Sequence, residues 1–129
     1  MNASKSGFTL IELLMVVVII GLLASIAIPK FSSTRERAYM SALRADLRNL
    51  ANQQDVYYND NYSYSTNLTS LEFDATQGVT INFGEAHNLG WSASAIHAAL
   101  GTTQFCAIYH GNAAAVSPAT TVSTVLCTN

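Results

Sequence analysis

Residues 8–28 are almost wholly apolar, with Glu12 as the one charge. As an α-helix this stretch is about 32 Å long at 1.5 Å per residue, close to a bilayer's hydrocarbon thickness. Further on, Met40, Leu43, Leu47, Leu50, Gln54 and Tyr57 recur at spacings of 3-4-3-4-3. That rhythm predicts one buried face of a helix, with Arg37, Arg44, Arg48 and Asp55 opposite. Between the two stretches stands Pro29, whose missing N–H and ring clash with the Ser25 carbonyl predict a kink; Gly21 is a second weak point. These two either shape packing or let the segment 21–29 bend under load. Together the patterns predict one helix over residues 8–58, about 75 Å long. Its apolar half (8–28) would protrude as a transmembrane or filament-core segment, and its amphipathic half would pack under a head.

The head is predicted over residues 59–129. The stretch YYNDNYSYSTNLTS (57–70) reads as helix end and loop, anchored by Leu68, Leu71 and Phe73. Its two glycosylation-type triplets at Asn61 and Asn67 are read as solvated turn residues. The period then changes to two. Val79, Ile81 and Phe83 alternate with polar residues between Gly78 and Gly84, and Trp91, Ala93 and Ala95 alternate with serines. Residues 104–110 and 121–127 give third and fourth strands. Short spacings favour an antiparallel sheet whose apolar face covers the helical stripe. The fold class is therefore α+β.

Charge is segregated. All six Lys and Arg lie in the first 48 positions, and no acidic residue follows Glu85. The head is thus a neutral, Ser/Thr/Ala/Asn-rich surface with no basic patch for phosphate, which argues against direct nucleic-acid binding. His87, His97 and His110 stand without Cys or carboxylates at ligand spacing and are read as structural or surface residues. No nucleophile motif or Gly-rich phosphate loop is present, so no catalytic residue, metal or cofactor is expected. The aromatics along the helix (Phe8, Phe31, Tyr39, Tyr57, Tyr58) are read as packing and subunit contacts rather than an electron path. Two cysteines, Cys106 and Cys127, lie far from the apolar segment and suggest an extracytoplasmic domain with one disulfide; two buried free thiols are the alternative.

Glu12 needs an explanation. A charge at a bilayer's centre costs about 2.5–3.5 kcal/mol on insertion scales. An ordinary secretory signal has a shorter apolar core, although Ala24-Ser25-Ile26-Ala27 passes as a weak cleavage site. A plain membrane anchor explains the length but not the acid. A cut between Gly7 and Phe8 would explain both. It creates an ammonium four residues before Glu12, where the helix dipole already favours a carboxylate. The amine could be the chain's own or a neighbour's. An unpaired Glu12 in an apolar filament would penalise wrong axial registers.

The hexapeptide Gly7-Phe8-Thr9-Leu10-Ile11-Glu12, after a short leader carrying Lys5 and continued through the apolar run to Ala27-Ile28-Pro29-Lys30-Phe31, resembles the prepilin signal of type IV pilins. The resemblance is strong over about residues 5–60. It implies removal of residues 1–7 by a prepilin peptidase at Gly7/Phe8, N-methylation of Phe8, and assembly through the apolar helix with Thr9 and Glu12 in the assembly position. The implied partners are further copies of the chain, the peptidase, the inner-membrane assembly machinery, and the membrane itself before assembly. The implied location is the inner membrane and then an extracellular pilus, with adhesion or motility as properties of the fibre. A bridge between Cys106 and Cys127 would close a loop of about 20 residues, worth roughly 3 kcal/mol. It resembles the disulfide-bounded C-terminal region of many type IV pilins.

Three other readings compete with a major pilin. A major pseudopilin of a type II secretion system shares the N-terminal pattern, and many of these bind calcium in a C-terminal loop. With no carboxylate after Glu85, such a site here would need carbonyl oxygens alone. The others are a minor pilin and a signal-anchored binding domain that keeps residues 1–7. Charge bias points the other way from a translocated head: Lys30, Arg35 and Arg37 follow the span, which by the positive-inside rule favours a cytoplasmic C-terminus. The cysteines and the resemblance require the opposite orientation.

Overall fold

The computed structural model describes residues 7–128; the expected leader, apart from Gly7, lies outside them. Helix α1 spans Leu10–Asn61, and four strands follow: β1 (Val79–His87), β2 (Gly90–His97), β3 (Phe105–Gly111) and β4 (Leu126–Cys127). The strands form one antiparallel sheet in the order β1-β2-β3-β4. One long helix with a small antiparallel sheet is the pilin-type α+β fold. The chain divides into two compact units, residues 1–35 and 36–129.

From Leu10 on, the first unit is helix. Its large apolar side chains are exposed from Phe8 and Leu10 through Ile28 and Phe31. The helix passes through Gly21 and Pro29 without a break. Polar side chains here bond inward: the Ser25 hydroxyl donates to the Leu22 carbonyl at 2.7 Å, and the Thr34 hydroxyl to the Lys30 carbonyl at 2.9 Å. In lipid, where water cannot serve, internal partners of this kind are required.

The second unit holds the core. Leu43, Leu47 and Leu50 are fully buried against Trp91, Ala93 and Ala95 of β2 and Cys106 and Ile108 of β3, with Leu71 and Phe73 closing one side. The predicted stripe is thus the core face, with Met40 and Tyr57 partly buried at its ends. Between helix and sheet, Trp91 is the largest fully buried side chain, set beside the small Ala93 and Ala95 of the same strand.

Several boundaries differ from those predicted: β2 runs over Gly90–His97, and β3 is shifted by one residue to Phe105–Gly111. The helix begins two residues later than Phe8, because Thr9 acts as its N-cap. It ends at Asn61 rather than residue 58, where Tyr62 takes a left-handed conformation (φ 52°) and donates its N–H to the Tyr58 carbonyl. Strand β1 runs through Gly84 instead of stopping there. A register shift between Phe83 and Glu85 absorbs the extra residue, and a side chain at Gly84 would strike the Ser92 hydroxyl. The fourth strand shrinks from 121–127 to Leu126–Cys127. Ser123 is left-handed (φ 56°) and turns its N–H to the Tyr109 carbonyl, so residues 121–125 cannot extend along β3.

The segment 111–120 folds back over the sheet face away from the helix. Ala113 and Ala119 are buried, Ser92 is covered, and the Ala114 N–H donates to Glu85 Oε1. This loop covers the Ser92 part of that face, while Thr80 and Asn82 of β1 stay exposed on it.

Candidate functional site

The chain start carries the most specific geometry. Thr9 N–H and Thr9 Oγ1–H both donate to Glu12 Oε2, at 2.9 and 2.8 Å, while Glu12 N–H donates to Thr9 Oγ1 at 3.3 Å. This is a capping box, in which residues three apart satisfy each other's orphan groups. The T-x-x-E spacing announced it, and the sequence reading above missed it by treating Glu12 as needing only a cation. Capping is worth about 1 kcal/mol. That falls short of the cost of an apolar-embedded charge, so the box orients the carboxylate without neutralising it. Among the described residues no cation lies within 4 Å of Glu12; the ion pair found is His87–Glu85 at 3.9 Å. Phe8, the residue before Thr9, is largely exposed, and nothing crowds Gly7. The Gly7–Phe8 peptide bond is thus accessible beside the Thr9 N–H that already touches the acid.

In the head, Cys106 and Cys127 are direct cross-strand partners joined by a disulfide. It ties two-residue β4 to β3 and closes the loop that covers the sheet. Arg44 Nε donates to Cys127 Sγ at 3.2 Å. Two side chains not foreseen as structural ties fasten the loops to α1. Buried Asp46 accepts from Thr76 N–H and Oγ1–H at 2.8 and 2.9 Å. Fully buried Gln54 pairs with both backbone groups of Ser65, at 2.6 and 3.0 Å. No sequence period marks these pairs, since their partners lie 30 and 11 residues away.

His97 is buried and stacked on Tyr39 (centroids 4.1 Å apart), and its Nδ1 accepts from Ala99 N–H. His110 bonds the Ser123 hydroxyl through Nδ1. His87 caps the β1–β2 turn through Leu89 N–H. Among the described residues no group of three His, Cys, Asp or Glu side chains could hold a metal ion.

Residues 2–28 match the family model described as the prokaryotic N-terminal methylation motif. The chain carries a prepilin-type methylation motif. Over roughly half of its length it is similar both to type IV pilins and to type II secretion system core proteins G. It is 38% identical over 68 residues (53% of this chain, 48% of the relative) to type II secretion system core protein G of Pseudomonas aeruginosa. It is 41% identical over 68 residues (53% and 52%) to the type IV wide pilus major component PilA4 of Thermus thermophilus. With the type IV major pilin protein PilA of Myxococcus xanthus it shares 38% identity over 77 residues (60% and 35%). The chain spans about half the length of the curated relatives it matches.

Proposed function

We propose that the chain is the polymerising subunit of a type IV pilus. Residues 1–7 are the leader, a prepilin peptidase cuts between Gly7 and Phe8, and the Phe8 amine is then methylated. Residues 8–28 hold the precursor in the inner membrane. During assembly, helices of neighbouring copies replace lipid around that segment. Glu12, aimed by Thr9, meets the Phe8 amine of the chain already in place, so a carboxylate left unpaired marks a wrong register. The helix around Gly21 and Pro29 is the part that yields under tension, because Pro29 deprives the Ser25 carbonyl of its donor. The single observation that carries this reading is a capped but un-neutralised acid four residues after an accessible Gly7–Phe8 bond.

Relatives of both kinds support a filament-forming subunit; the choice of pilus over secretion pseudopilus is ours. It is supported by the Cys106–Cys127 bridge and by a C-terminal region without carboxylates for calcium. Mass spectrometry of sheared surface fibres tests it. The expected subunit begins at N-methylated Phe8. A mature chain that keeps residues 1–7, or one cut near Ala27, would overturn the proposal.

A further inference from the structure

The head carries opposite charges on opposite flanks of its helix. Arg37, Arg44 and Arg48 are exposed and spaced seven and four residues apart, so they fall within about 40° of one another around α1. Arg37 and Arg44 line one cleft with Glu36, Gln104 and Thr128, two cations against one acid, and Arg48 lines a second of about 430 Å³ with Ile108 and Ser123. Asp60 lies roughly 120–160° further round the helix from Arg48 and Arg44. With Glu72, Val56 and Tyr57 it lines a cleft of about 310 Å³. None of the three arginines, and neither Asp60 nor Glu72, has an ion-pair partner within 4 Å among the described residues. Val56 is 60% exposed in the middle of the acidic flank. Glu72 is held outward by a left-handed backbone (φ 49°), a conformation that costs a non-glycine residue and persists only where the surroundings enforce it.

We infer that the arginine flank of one head packs against the Asp60–Glu72 flank of a second copy. The occupant is a copy of this chain because the two surfaces are complementary in charge and belong to the same head. Since they lie on opposite sides of the helix, the contact is head-to-tail. A contact of this kind propagates as a helical array when the rotation between copies does not close a ring, as the filament reading requires. Asp55 stands on the arginine stripe seven residues beyond Arg48. Its like charge repels an acidic flank that slides too far along, so the stripe also limits axial slip. This inference rests on the filament reading above and adds the side contacts between heads.

The test is a charge swap in the full-length chain. Arg44→Glu/Arg48→Glu and Asp60→Arg/Glu72→Arg are each expected to lower fibre yield more than tenfold, with the monomer still processed and disulfide-bonded. Combining all four should restore fibres to near the parental yield. Parental fibres should also fragment faster as salt rises, because exposed pairs are screened. Wild-type yield from either double variant would overturn the flank pairing while leaving the filament reading intact. Failure of the folded quadruple variant to recover would overturn it too. A parent chain that forms no fibres would overturn both readings.

Discussion

Gln54 shows how one residue can hold an element in place. Its amide imitates a strand edge, giving half-buried Ser65 both a donor and an acceptor. Truncation to alanine leaves two part-buried backbone groups without their partner, at about 1 kcal/mol or more for each. Gln54→Ala should therefore lower the melting temperature of the detergent-solubilised chain by about 10 °C or more; a shift under 2 °C would show the Ser65 loop is held otherwise. Tyr64 sets a pH limit. Its burial, with Asp55 and Tyr58 adding to it, raises the phenol's pKa above the ordinary value near 10. A folded pKa above the unfolded one means stability fully present below pH 10 and lost as pH rises through the folded value. Melting temperature should fall above pH 10, and less steeply in Tyr64→Phe; equal slopes would contradict this. Of such residues, sequence revealed those on a periodic face. Leu43, Leu47 and Leu50 were legible because burial repeats every turn. Asp46 and Gln54 were only half legible: Gln54 sat on the stripe, but its partner is fixed by a loop closure that no local pattern encodes.

At the scale of elements, the helix and three of the strands followed from period alone. The ends did not, because caps and bulges decide them: Thr9 at the start of α1, Tyr62 at its end, Gly84 inside β1. The fourth strand misled because TVSTVLC alternates like a strand, yet the Ser123 turn and the return over the sheet win over local alternation. With just two residues in β4, the C-terminal region depends on its disulfide. The cysteines stand 21 positions apart, and loss of a closure of that size costs about 3 kcal/mol in the chain-entropy model. Cys106→Ser/Cys127→Ser should lose that stability, and amides of residues 112–128 should exchange faster than those of α1. Uniform exchange across the head would show that the loop's packing, not the bridge, holds it.

For the whole molecule, the two units are built for different surroundings. Residues 36–128 bury a continuous core and satisfy their buried side-chain polar groups. The apolar side chains of residues 8–28 stay exposed, so they require lipid or other copies of the chain around them. Lys30, Arg35 and Arg37 after the apolar run favour a cytoplasmic head by the positive-inside rule, opposite to the orientation that the proposed pilus needs. The assembly step proposed above rests on the acid at the helix start. Glu12→Gln keeps an oxygen for Thr9 and so preserves the cap, removing only the charge. Fibre yield from this variant, measured by shearing and quantified against the membrane pool, is the most direct measurement of the account. A fall of tenfold or more, with the leader still cleaved, is the predicted result; fibres at parental yield would contradict it.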